Sequence, residues 1–168
     1  MSSKNQKPQK KDSFISAKGM RDIRNEDYYL FQGFFEKAQE VAIYYGFQPI
    51  DTPILEHEEL FTTSVGAGTD IVDKEMYSLR TKGGDHLALR PEHTAGAMRA
   101  YIEHGMQNLP QPVLLYSYGP VFRHDNPQKG RYRQFHQIGS EIIGERDPVL
   151  DAENIHMAVK ILSDCGLK

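Results

Sequence analysis

The chain has 168 residues, the size of one domain or of part of a larger one. Hydrophobic residues make up 39% and charged residues 26%, too apolar a balance for a disordered chain, and no run approaches the ~18–20 apolar residues of a membrane helix. The single cysteine, Cys165, excludes an internal disulfide and a multi-cysteine zinc site, and it points to a reducing, cytoplasmic setting. The net charge of −3 is uneven: residues 1–18 hold five lysines against Asp12, a net of +4, while the remainder holds 15 basic and 22 acidic side chains, a net of −7. Residues 1–17 therefore read as a flexible basic tail, with no apolar stretch of the secretory type after it. Such a tail can touch nucleic acid through phosphates, but a solvated leader without a specific contact is the favoured expectation. The body, by composition, is not a basic nucleic-acid module.

From Asn25, a good N-cap, Phe31, Phe34, Phe35, Ala38, Val41, Ala42 and Tyr45 recur at helical spacing up to Gly46. The spacing predicts an amphipathic helix whose aromatic stripe belongs to a core or an interface. Residues 47–56 then alternate and carry Pro49 and Pro53, which predicts an extended edge or interface strand. A short helix is expected near Glu58 to Thr62. Residues 64–73 read as a loop, and Gly66 and Gly68 fit no phosphate-loop or dinucleotide fingerprint. Met76–Arg80 and His86–Arg90 flank Lys82-Gly83-Gly84-Asp85, a hairpin signal. A helix follows Arg90-Pro91-Glu92-His93-Thr94, with Pro91 placed in its first turn and Gly105 at its end. Residues 113–118 form a buried-strand run, interrupted at Gly119-Pro120 and resumed from Val121 to His124. After a loop, Arg131 to Gly144 make a long returning strand. Asp147-Pro148 cap a last helix with Ala152, Ile155, Val159 and Leu162 on one face. About five strands, mostly antiparallel, and three longer helices predict an α+β fold: an antiparallel β-sheet flanked by helices, and incomplete.

The returning strand carries the chemistry. Its period-2 geometry puts Arg133, Phe135, Gln137, Gly139 and Glu141 on one face, and Gln134, His136, Ile138, Ser140 and Ile142 on the other. The second face can pack on helices. The first presents a ring, an amide and a carboxylate in a row, with a glycine leaving a gap. Arg123, Lys129 and Arg131 add cations nearby. Arginine suits bidentate phosphate recognition, Phe135 can stack on a flat base, and Gln137 and Glu141 can bind an ammonium or an imidazole. The row is either the floor of a polar pocket or an ordinary charged hairpin with cross-strand pairs, and spacing alone leaves the two about even. The seven histidines show no paired metal spacing, so a metal site is not expected.

The segment from Gly119 to Gln137, with Gln-Lys-Gly-Arg-Tyr-Arg-Gln-Phe-His-Gln at 128–137, resembles motif 2 of the class II aminoacyl-tRNA synthetases, and the histidyl-tRNA synthetase family specifically. Gly46-Phe47 leading to Pro53 resembles motif 1. Arg90-Pro91-Glu92-His93-Thr94 resembles that family's histidine-binding segment, and Lys18-Gly19-Met20-Arg21-Asp22 resembles its start.

The resemblance implies a partial class II catalytic core over residues 18–168. Motif 3 and the anticodon-binding domain are absent, so the chain reads as the N-terminal part of a catalytic domain. The implied reaction is ATP-dependent activation of histidine, followed by transfer to tRNA(His). Arg123 would hold the ATP α-phosphate and the histidine carboxylate. Asp125, where the family usually has Glu, would lie beside adenine. Arg131 would reach the outer phosphates and Phe135 would stack under the base. Glu92 and Thr94 would take the α-amino group, and Gln137 and Glu141 would line the histidine pocket. Mg²⁺ would accompany the phosphates, and Pro53 would mark a homodimer interface. The alternative is the synthetase-like regulatory subunit of ATP phosphoribosyltransferase, which shares the fold. The intact Arg123, Arg131, Phe135, Gln137 and Glu92–Thr94 set favours the synthetase.

Overall fold

A computed structural model describes residues 14–64 and 75–167. Most of the expected basic tail and nearly all of the 64–73 loop lie outside the described residues.

The first helix, α1 (Glu26–Tyr44), begins after Asn25 as expected, although Asn25 takes a φ of +57° and its side chain caps nothing. Its end follows local rules closely. Gly46 has a φ of +87°, its N–H reaches the Ile43 carbonyl at 2.9 Å, and Phe47 N–H reaches the Ala42 carbonyl at 3.0 Å. That paired closure needs a residue in the left-handed region, which glycine supplies at little steric cost.

The strands are β1 (Gln48–Pro49), β2 (Leu55–His57), β3 (Tyr77–Arg80), β4 (His86–Leu89), β5 (Val113–Phe122) and β6 (Gln134–Ile143), with α2 (Glu58–Ser64), α3 (Thr94–Glu103) and α4 (Pro148–Asp164) between and after them. They form two three-stranded sheets, ordered β1-β5-β6 and β2-β4-β3. The single antiparallel sheet expected is thus two, and β1 runs parallel to β5. The prolines account for the division. With Pro49 and Pro53 in it, the 47–56 stretch breaks into two short strands, one for each sheet.

α1 and α4 cover one face of the larger sheet. Ala38, Val41, Ala42, Phe47, Tyr116, Met157 and Ile161 form its buried core, with Ile138 and Ile142 of β6 packed against them. The even face of β6 is therefore the helix-packing face, as its parity implied. Ser140 Oγ donates to Asn154 Oδ1 of α4 at 2.7 Å, and His136 meets Phe31 edge-on at 4.6 Å.

Three local expectations are corrected. The buried face of α4 is Met157 and Ile161, whereas Ile155 and Val159 are 66% and 57% exposed and Leu162 and Ala152 also face outward. Apolar residues nearly ring this helix, so its periodicity does not single out one stripe. The Asn154–Ser140 bond and the Tyr45–His156 bond (2.8 Å) set its rotation. β5 is not interrupted at Gly119-Pro120: Pro120 pairs with His136 on one side, and on the other side β1 pairs only with Leu115 and Tyr116, so among the described residues no strand needs the N–H that Pro120 lacks. Pro91 is not in the first turn of α3. The Glu92 carboxylate accepts the N–H groups of Thr94 (2.5 Å) and Ala95 (2.9 Å), so the helix starts after it.

Arg90 joins the sheets. Its N–H reaches the Ile54 carbonyl at 2.9 Å, and its own carbonyl accepts the Phe122 N–H at 3.0 Å. Its side chain, 3% exposed, donates from Nη1 to the Thr52 carbonyl (2.5 Å) and from Nε to the Pro120 carbonyl (3.0 Å). Neutral carbonyls thus satisfy a buried cation, and Asp51 Oδ1 stands 3.5 Å away.

Candidate functional site

The antiparallel register sets the floor. Val121 lies opposite Phe135, Gly119 opposite Gln137, Ser117 opposite Gly139 and Leu115 opposite Glu141. The odd residues of β6 therefore line up on the face away from α1 and α4.

At one end of the row, Arg123 donates from Nε to the Pro91 carbonyl at 2.9 Å, and its guanidinium carbon stands 5.4 Å from the Phe135 ring centre. Among the described residues its terminal nitrogens carry no other hydrogen bond. Arg131 Nη1 meets Asp125 Oδ2 at 2.8 Å, and the Asp125 carbonyl accepts Arg133 Nε at 3.1 Å. Arg123, Asp125, Arg131 and Phe135 all line one pocket of about 460 Å³, which Glu75 also borders. All four residues singled out for the nucleotide are thus brought together. Arg123 and Arg131 line the pocket with the carboxylates of Asp125 and Glu75, and Arg133 adds a third cation beside it, on the Asp125 carbonyl.

At the other end, Thr94 Oγ1 donates to Glu141 Oε1 at 2.8 Å, which brings the start of α3 onto β6. Burial pushes the Glu141 carboxyl above its ordinary range; the Thr94 bond opposes this and the nearby Glu92 charge adds to it. Glu92, Thr94 and Glu141 form one cluster. Both Glu92 oxygens already serve the α3 amides, and each retains a second lone pair for a ligand. Gln137 lies on the same face, between Phe135 and Gly139. Pro53 is not part of this grouping. It is exposed and lines a separate cleft of about 700 Å³ with Asp51, Thr52, Arg90, Tyr118 and Pro120.

The gap at Gly139 is bordered by Ser117, Glu141 and His93 at ordinary contact distances. A Cβ there would stand 3.4 Å from Ser117 Oγ and 3.8 Å from His93 Cβ. His93, within the 90–94 segment, is 1% exposed. Its ring nitrogens face the backbone of Gly119 and Gln137 without reaching full hydrogen-bond geometry. Burial, reinforced by the Arg90 charge, holds its pKa below the ordinary histidine value, so the ring is neutral at neutral pH. The sequence singles out the 90–94 segment, but not the buried places of Arg90 and His93, because both depend on contacts with β5 and β6. Among the described residues no three His, Cys, Asp or Glu side chains converge as metal ligands would.

Comparisons with known proteins bear on the family and the fold. The family model described as histidyl-tRNA synthetase matches residues 19–168. A histidine–tRNA ligase from Dehalococcoides mccartyi is 51% identical over 154 residues, 92% of this chain and 37% of the relative. The apo S. aureus histidyl-tRNA synthetase superposes with a TM-score of 0.79 at 37% identity, over 93% of this chain and 36% of that one. A structure described as an ATP phosphoribosyltransferase regulatory subunit/histidyl-tRNA synthetase from Bacillus halodurans C also gives 0.79, at 28% identity over 92% of this chain and 39% of its own. The chain spans a little over a third of the length of the curated relatives it matches. With the match running from Gly19 to the last residue and half of the compared positions identical, the chain belongs to the histidyl-tRNA synthetase family.

Proposed function

We propose that this chain is part of a histidine–tRNA ligase, in which it binds ATP and histidine for formation of histidyl-adenylate, the intermediate then transferred to tRNA(His). The observation that carries the reading is the convergence of Arg123, Asp125, Arg131 and Phe135 on one pocket, on the same sheet face as the Glu92–Thr94–Glu141 cluster.

Activation joins two anions: the histidine carboxylate attacks the ATP α-phosphorus, and pyrophosphate leaves. Arg123 suits the junction. Its Nε is anchored on the Pro91 carbonyl, so the terminal nitrogens are pre-oriented and can bridge both anions without reorganisation at the moment of reaction. Phe135, beside that guanidinium, offers a face to the base. Arg131 is held by Asp125 and would exchange that carboxylate for the outer phosphates. Glu141 and Glu92 suit the cationic amine and imidazole, and donors and acceptors left unpaired by another amino acid would reject it. Mg²⁺ would accompany ATP and offset the negative charge of its phosphates. Pro53 and the cleft beside it are the proposed homodimer face.

The test is pyrophosphate exchange into ATP with each amino acid supplied separately. Exchange with histidine alone supports the reading. If the folded chain binds neither MgATP nor histidine, the reading fails. Copurification of an ATP phosphoribosyltransferase without such binding would favour the regulatory alternative, which rests on the likeness to the Bacillus halodurans C structure.

A further inference from the structure

The segment before α1 is tied to the candidate nucleotide site. Met20 N–H reaches the Ala17 carbonyl at 2.9 Å, which closes a β-turn with Gly19 as its third residue at φ +82°. A positive φ at that position is the mark of a type II turn and selects glycine. The turn presents the Gly19 carbonyl to the Arg133 N–H at 2.7 Å. It also brings Gly19 flat against the Arg133 side chain: a Cβ on Gly19 would stand 2.7 Å from Arg133 Cγ and 2.9 Å from Cδ.

Arg133 is in turn the hub of the nucleotide loop. Its carbonyl accepts the Arg123 N–H at 2.9 Å, and its Nε donates to the Asp125 carbonyl at 3.1 Å. Asp125 then holds Arg131 at 2.8 Å. Next to the turn, the Arg21 guanidinium lies over the Tyr132 ring at 4.3 Å, a second clasp on the same loop.

We propose that the turn at residues 17–20 is a positioning strap for the nucleotide loop, acting through Arg133 on Arg123, Asp125 and Arg131. Gly19 and Arg133 are then positioning residues, and Arg133 itself does not touch the substrate. The role in ATP binding rests on the function proposed above, but the coupling of strap to loop does not. The division expected at residue 17 also falls inside this turn, since the Ala17 carbonyl is its acceptor. The strap begins at Ala17.

Two measurements on the full chain separate these claims. The first is amide hydrogen exchange in wild type, Gly19→Val and Arg133→Lys. Gly19→Val should speed exchange of the Gln128, Arg131 and Arg133 amides about tenfold, with the β5 core amides unchanged. Unchanged loop exchange overturns the strap. The second is titration with MgATP and with histidine. Gly19→Val should weaken MgATP about tenfold and histidine less than twofold, and equal losses would overturn a loop-specific role. Arg133→Lys keeps the backbone bond to Gly19 but loses the Nε bond to Asp125, so it should reproduce the MgATP loss. A wild-type chain that binds no MgATP would sink the nucleotide reading, and the exchange result would still decide the strap. Removing residues 1–16 should leave both measurements at wild-type values, and removing 1–22 should reproduce Gly19→Val.

Discussion

Two glycines in helices should respond to alanine with opposite signs. Gly33, in α1, is exposed and has nothing within 4 Å of where a Cβ would stand. Gly33→Ala should then show the propensity gain alone, about 0.5–1 kcal/mol of added stability. Gly96, in α3, is buried, and a Cβ there would stand 2.8 Å from Thr52 Oγ1, 3.1 Å from Thr52 Cβ and 3.4 Å from Cγ2. Rotating Thr52 does not relieve the contact, because its Cβ stays close whichever branch faces the helix. Nor can Thr52 retreat freely, since it is buried and Arg90 holds its carbonyl at 2.5 Å. Overpacking of this kind costs about 1–3 kcal/mol, against a propensity gain of about 1 kcal/mol. Gly96→Ala should therefore destabilise by about 1 kcal/mol. Urea unfolding followed by circular dichroism reads both, at unchanged slope. Thr52→Ala removes two of the three crowding atoms, so Gly96→Ala should cost at least about 1 kcal/mol less in that background. A Gly96→Ala variant as stabilised as Gly33→Ala would show that Thr52 yields, and would refute the rigid Arg90–Thr52 junction between the two sheets.

The corrected face of α4 predicts that Met157→Ala costs about 2–4 kcal/mol while Val159→Ala stays within about 0.5 kcal/mol, read by the same unfolding curves; the reverse ranking would put the sequence-expected stripe inside. Burial, aided by Arg90, lowers the pKa of both His93 and His136. Their neutral forms are favoured in the fold, so the stability they contribute is present above the ordinary histidine pKa and is lost as pH falls through the depressed values. Between about pH 7.5 and 6 the urea midpoint should fall, and less in His93→Asn; a rise would contradict the assignment. Glu141 works in the opposite sense and nearer the carboxylate range, since its raised pKa relieves a burial penalty on protonation. For the proposed base stacking, Phe135→Ala should weaken MgATP about tenfold or more, in line with about 1–3 kcal/mol per stacked base, and histidine far less. Equal loss of both in titrations would argue that Phe135 is only structural.

Much of this protein was determined by its sequence alone. The start and closure of α1, the Asp147 cap of α4 (Val149 N–H to Oδ1, 2.9 Å), the hairpin around Gly84 and the two faces of β6 all follow from interactions within a few residues, which a linear pattern records. The candidate nucleotide residues were legible for a related reason: their chemistry is concentrated in one hairpin. The tertiary structure decided what long-range contacts decide. Which stripe of α4 is buried depends on bonds to β6 and α1. Whether Pro120 breaks β5 depends on β1 ending short of it, at Leu115 and Tyr116. The approach of His93 to Gly139, the tie from Gly19 to Arg133 and the Arg90 junction each join residues from 30 to 114 positions apart, and no local periodicity encodes such distances. The Asp125–Arg131 pair is close in sequence and sits in a loop closed by the Gln128–Arg131 backbone bridge and by Arg133 on the Asp125 carbonyl.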